Sequence, residues 1–267
     1  MNIHSLWLYP IKSLPGMAVE SFELDKFGPA QDRRWMVVSA DGRFVTQRKV
    51  PALALVIPRI EAQVLRIAVP GEGDHAVEPG PRWRTVSVWQ DQAEALVAQP
   101  GPAEALSRFL GMPVELVYMP DAAFRHARAP GLTSLHPVSF ADGFPFLVTT
   151  TASLNDLNLR LARAVEMRRF RPNIVIEGAE PWAEDGWQQL AIGEARVNLV
   201  TPCSRCVMIT VDPDTAVRAE DGEPLKTLAS FRRTADGVMF GVNAVHQGAG
   251  LLRIGDTVRV IHSKEMF

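Results

Sequence analysis

From His4 to about Leu24 apolar and polar residues alternate around Pro10 and Gly16, the period-two pattern of strands half-buried in a sheet. Arg34 to Val45 reads as two short strands joined at Asp41-Gly42, a dipeptide suited to the positive φ of a tight hairpin turn. The stretch Val69 to Trp83 is crowded with Gly, Pro and charge and predicts an exposed loop before the strand TVSVWQDQ. Pro102 suits a first helical position, Leu106, Phe109 and Leu110 form one apolar face, and Gly111 follows as a stop, so a helix is predicted over 102–110. Pro120 to Gly131 reads as irregular, and the domain boundary is placed there.

The second half opens with FPFLVTT, a buried strand, then Thr151 or Ser153 as a helix cap and a helix with Leu154, Leu157 and Leu161 on one face. Beyond Arg171 the pattern returns to strands in NIVIEG, QQLAIG, ARVNLVT, VMITVD and TVRVI, each bounded by Gly, Pro or Asp. The expected fold is mainly β (α+β): a β-rich N-terminal domain over 1–120, a β-barrel with a few helices over 121–262, and a tail over 263–267.

Composition narrows the function. Twenty-eight Lys and Arg against 30 Asp and Glu give a net charge of −2, which supplies no general attraction to nucleic acid or to an anionic membrane surface. The opening MNIHSLWLYPIKSL lacks a cationic start and is broken by Pro10 and Lys12, so it reads as neither signal peptide nor membrane anchor, and a cytoplasmic protein is expected. No G-x-G-x-x-G follows a predicted strand and no P-loop occurs, which leaves nicotinamide and nucleoside-triphosphate chemistry unsupported.

The chemistry concentrates at Thr201-Pro202-Cys203-Ser204-Arg205-Cys206, which holds the chain's two cysteines. A C-x-x-C of this kind can serve redox exchange, metal binding or simple packing. A thioredoxin-like site wants a helix after the first cysteine, whereas β-branched residues follow here. Zinc wants further Cys or paired His, and the six histidines are scattered. Two cysteines cannot build an all-cysteine iron–sulfur cluster within one chain.

The run PCSRCVMITVDPDTA, with FRPNIVIEGAEPWAEDGW upstream and EPLKTLASFRR downstream, resembles the MOSC family, in the branch of the mitochondrial amidoxime-reducing components and their bacterial relatives. LYPIKSLPG and DRRWMVV resemble the β-rich domain that precedes MOSC in that branch. The resemblance implies a molybdenum cofactor (Mo-molybdopterin) whose metal takes its protein sulfur from Cys206, a soft donor suited to a metal already bound by sulfur. It further implies that Lys12, Ser13, Arg33, Arg171, Asn173, Ser204 and Arg205 contact the cofactor, and that Asn243 lies near the metal. Arg34, Arg168 and Arg169 beside these motifs read as surface or ion-pair residues. Trp182, Glu184, Asp185 and Trp187 look like a substrate-mouth loop in that family, while an acidic loop with two tryptophans reads equally as a lid on the barrel. Where some relatives carry a hydroxyl-bearing pair before Pro-Phe, this chain has Gly143-Phe144, so backbone amides would replace side chains there.

The activity so implied is reduction of N-hydroxylated small molecules (amidoximes, hydroxylamines, N-hydroxylated bases). The metal would cycle between Mo(IV) and Mo(VI), with electrons from a separate ferredoxin- or cytochrome b5-like protein and its flavin reductase. Neither the C-terminal ferredoxin domain of some bacterial relatives nor the targeting segment of the mitochondrial ones is expected. The alternative is a cofactor or sulfur carrier without turnover of its own, since MOSC domains also end molybdenum-cofactor sulfurases.

Overall fold

The first strand, Asn2–Leu8, lies between Met17–Val19 on one side and the distant Ile174–Glu177 on the other. In the computed structural model, which describes residues 1–129, 132 and 134–263, these strands form one edge of a nine-stranded sheet. Its order runs on through Phe146–Thr150, Gly237–Gln247, Ala195–Arg205 and Trp187–Ile192 to Val258–Ser263, and the short Arg233–Thr234 pairs beside Gly237–Gln247 as the ninth. All pairs are antiparallel except Phe146–Thr150 with Ile174–Glu177, which the helix Thr151–Asn158 and the turns after it allow to run parallel. A second sheet holds Pro79–Val88, Asp91–Ala98, Val114–Tyr118, Trp35–Ser39 and Ile11–Lys12 in that order. The protein is mainly β with three short α-helices among the described residues, as its alternating patterns predict.

The N-terminal strands are woven into the C-terminal half. Ser21–Asp25 pairs with Gly250–Arg253, and Ile3, Leu6 and Phe22 share one apolar core with Phe146, Ile174, Leu190 and Val242. The second sheet packs Trp35, Val37 and Leu116 against the helix Pro102–Leu110 through Ala105 and Leu106. That helix starts at Pro102 and ends on Gly111 at φ 65° as its sequence predicts. The Asp41-Gly42 turn also forms, with Gly42 at φ 77° and the amide of Ser39 donating to the carbonyl of Arg43.

Four expectations are corrected. The stretch Val69 to Trp83 is not a loop: Gly71 and Gly73, both at positive φ, turn Val64–Val69 directly into the strand Gly73–Val77. Pro79 and Pro81 then enter a strand on the edge of its sheet, where a missing N–H costs little. The helix after FPFLVTT is capped by Thr150, whose hydroxyl accepts from the amide of Ser153 at 3.1 Å, and it ends at Asn158, short of Leu161. VMITVD is not a strand, because Val207–Thr210 coils into a single 3-10 turn. Ile209 packs into the core of Phe170, Leu228 and Phe240, and Thr210 is buried beside it. Ser263 closes the last strand rather than opening a tail, and 264–267 lie outside the described residues.

Candidate functional site

The cysteine pair sits where the strand Ala195–Arg205 ends. Its pairing with Gly237–Gln247 slips twice, between Leu199 and Thr201 and between Pro202 and Ser204, and such slips bend a strand and re-aim its side chains. Gly237, at φ 128°, permits the close approach: a Cβ there would fall 2.2 Å from Oγ of Ser204. Cys206 follows in extended backbone and opens the 3-10 turn, leaving its side chain exposed. Arg169 braces that turn from behind, donating to the carbonyl of Val211 at 3.0 Å and to Asp212 at 2.7 Å. It is therefore an ion-pair residue with a structural task.

Every residue predicted for the site lines one cleft. Lys12, Ser13 and Arg33 come from the N-terminal turns, Arg171 and Asn173 from the FRPN segment. Ser204, Arg205 and Cys206 come from the cysteine turn, and Asn243 from the neighbouring strand. Cys203, Asp142, Gly143 and Phe144 line it as well. Three of these non-glycine residues have left-handed backbones, Ser13 at φ 69°, Arg33 at 48° and Arg171 at 56°. Such conformations each cost on the order of 1 kcal/mol or more and gather where function requires them.

The cations are held by unlike means. Lys12 is buried, donating to the carbonyl of Phe140 at 2.7 Å and to the carboxylate of Asp142. Burial lowers its pKa to about 8, against the opposing pull of Asp142. Arg33 pairs with Asp32 and donates to Oδ1 of Asn173 at 2.9 Å. Arg171 donates to the carbonyl of Leu14 at 2.5 Å, and burial lowers its pKa to about 10. Arg205 donates to the carbonyl of Phe170 at 2.7 Å and to the sulfur of Cys203 at 3.0 Å, while its buried Nε has no partner.

Tyr9 was not foreseen and organises the floor. Its ring lies 4.4 Å from the guanidinium of Arg33 and 4.3 Å from that of Arg171, so one aromatic group steadies two cations. Gly16 is obligatory beside it, since a Cβ there would fall 2.3 Å from the ring. The phenol is buried without a partner, and burial pushes its pKa up. Tyr9 stands in YPIKS, next to the predicted Lys12 and Ser13, but the sequence gives no sign that two arginines from distant segments close on it.

A phosphate-bearing cofactor fits this donor set. Asp32 and Asp142 compensate Arg33 and Lys12, whereas Arg171 and Arg205 have no carboxylate within ion-pair reach among the described residues. Two guanidinium charges are thus left uncompensated for an anion. No cluster of three or more His, Cys, Asp or Glu able to hold a metal occurs among the described residues, so a metal at Cys206 would need its remaining ligands from a bound group. Asn173 is spent on the fold: it also accepts from the amide of Leu147 at 3.2 Å and donates to the carbonyl of Trp7 at 3.2 Å.

Of the two readings of the acidic tryptophan loop, the inward-packed lid holds and the mouth does not. Glu184 is fully buried and accepts from Ser153 at 2.8 Å and Thr150 at 3.2 Å, Trp187 lies in the main core, and Asp185 pairs with Arg232. The two tryptophans drive it inward, Trp182 packing on Phe240 and Phe231. Arg34 is likewise buried, between the rings of Phe27 and Tyr118, and salt-bridged to Asp121 at 2.8 Å. Arg168 pairs with Glu166 and Asp214.

Fold and site together define a two-part MOSC protein: residues 1–113 match the MOSC N-terminal beta barrel domain and residues 136–259 the MOSC domain. Similar proteins include mitochondrial amidoxime-reducing component 1 of Homo sapiens, 32% identical over 97% of this chain and 83% of that one. Mitochondrial amidoxime reducing component 2 of Bos taurus is 33% identical over 96% of this chain and 82% of that one. A molybdenum cofactor sulfurase of Oryza sativa subsp. japonica is 30% identical over 91% of this chain but only 32% of its own length. The chain belongs to the MOSC family, in the branch of the mitochondrial amidoxime-reducing components.

Proposed function

We propose that this chain binds a molybdenum–pterin cofactor with Cys206 as the protein ligand and reduces N-hydroxylated compounds to their N–H counterparts. The observation that carries this reading is an exposed Cys206 thiol at a cleft in which Arg171 and Arg205 have no carboxylate partner. Bound there, the cofactor would supply a two-electron reduction of the N–O bond, consuming two protons and releasing water.

The residues of the chain take the remaining tasks. Arg171 and Arg205 would grip the phosphate, Lys12 and Arg33 would add charge beside it, and Ser13 and Ser204 would donate from the rim. Asn243 faces the same cleft as Cys206 and would contact the metal's other ligands or the substrate. Cys203, held by Arg205, would fix the orientation of the cysteine turn. Electrons would come from a separate ferredoxin- or cytochrome b5-like protein, and cytoplasmic residence belongs to the same proposal. No helix among the described residues is long and apolar enough to cross a membrane.

The test is elemental analysis of protein purified from a host that makes molybdopterin, comparing wild type with Cys206→Ser. About one molybdenum per chain, lost in the variant, supports the ligand assignment and opens N-hydroxy reductase assays. The likeness to a molybdenum cofactor sulfurase favours a second reading, a sulfur or cofactor carrier. Protein with sulfane sulfur and no molybdenum would replace the first reading by the second.

A further inference from the structure

Beside the cysteine cleft, and sharing Arg48, Asp142 and Gly143 with it, runs a groove of about 840 Å³. Its charges do not balance. Asp91 is shared by Arg125 at 3.2 Å and Arg128 at 2.7 Å, and Asp142 by Lys12 and by Arg48 at 3.7 Å. Each carboxylate thus faces two cations, Arg43 is paired only with the exposed Asp41 at 3.3 Å, Lys49 has no anionic partner among the described residues, and a buried Nε of Arg48 is unpaired. Excess positive charge in a concave site concentrates anions.

The groove also carries an aromatic platform held in place. Trp89 sits at the tip of a hairpin in a left-handed backbone, φ 56°, and is 49% exposed. That placement is strained in a non-glycine residue, and exposing a tryptophan adds to the cost. Three contacts fix the ring there: Nε1 donates to Asp142 at 3.2 Å, Arg48 lies over it at 4.5 Å, and Phe44 tilts against it at 5.0 Å. Asp142 and Arg48 are the residues common to groove and cleft, so the platform is aligned with the cleft that Cys206 borders.

We propose that this groove is a substrate subsite for phosphate monoesters of planar aromatic compounds. The phosphate meets Lys49, Arg43 and Arg48, the flat part of the molecule lies along Trp89 and Phe44, and the far end enters the cleft. The inference rests on the reductase reading and narrows its substrate class to N-hydroxylated aromatic bases carried as phosphate esters. A phosphate dianion suits several separated cations, and arginine forks bind its oxygens in pairs.

The test is calorimetric titration of the purified protein with cytidine monophosphate and with cytidine. A phosphate gripped by charge-assisted hydrogen bonds should bind about tenfold or more tighter than the nucleoside, with the difference shrinking in high salt. Lys49→Glu combined with Arg43→Glu should abolish the difference and leave molybdenum content unchanged. Trp89→Leu should weaken both ligands. Equal binding of the two ligands, no binding of the monophosphate, or a difference that survives the double variant would overturn the subsite. Failure of the activity reading looks different: the titration holds while no N-hydroxylated compound is reduced. Equal KM for N-hydroxycytidine and its monophosphate would sink the subsite and leave the reductase standing.

Discussion

Nη1 of Arg33 donates to Oδ1 of Asn173 at 2.9 Å, tying a turn of the N-terminal half to the strand-entry segment 140 residues away. The same oxygen accepts the amide of Leu147, and the amide nitrogen of that side chain donates to the carbonyl of Trp7. Three segments therefore meet at one fully buried side chain. Asn173→Ala would leave an arginine, a backbone N–H and a carbonyl without it, a loss of roughly 2–4 kcal/mol. Urea unfolding should show a lowered midpoint with an unchanged slope, and any loss of molybdenum should track the loss of stability.

Tyr9 separates packing from polarity. Tyr9→Phe removes a buried hydroxyl that has no partner and keeps the ring, so stability should stay within about 1 kcal/mol of wild type or rise. Tyr9→Leu keeps a buried apolar group but removes the surface on which Arg33 and Arg171 rest. Sulfate affinity, measured by calorimetry on metal-free protein, should fall several-fold in the leucine variant and hold in the phenylalanine one.

Lys12 gives the cleft a pH dependence. Its pKa, lowered by burial to about 8 from 10.5, leaves it charged below pH 8 and neutral above. Sulfate keeps its charge over this range, so its affinity should fall roughly tenfold between pH 7 and 9.5, and Lys12→Arg should flatten the profile. Stability of the ligand-free protein runs the other way. Between about pH 8 and 10.5 the folded chain holds fewer protons than the unfolded one, so stability contributed by this group rises with pH through that window.

Glu184 has the opposite sign. Burial raises its pKa, so the folded state keeps a proton that the unfolded state releases. Its contribution is present in acid and is lost as pH rises through the folded-state value. Glu184→Gln keeps an acceptor for Ser153 and Thr150 while removing the charge. Its Tm should rise by about 2–4 °C at pH 8 and lie closer to wild type at pH 5, as read by calorimetric melting.

The sequence by itself determined most of the strands and the helix over 102–110, and its resemblance to the MOSC family implied the membership of the cleft from Lys12 to Asn243. The strands and the helix are local properties: alternation, and a proline at a helix start with a glycine at its end. Tertiary structure decided what local pattern cannot carry. Val207–Thr210 is β-branched and reads as a strand, yet it coils because Ile209 must reach the core of Phe170, Leu228 and Phe240. The loop of Trp182 to Trp187 reads as a polar mouth, yet two aromatic rings draw it inward and bury Glu184. Tyr9 is one aromatic residue among many until Arg33 and Arg171 fold over it. The reason is common to all three: burial and ion pairing depend on which distant segments meet, and short-range pattern records only what each segment would do alone.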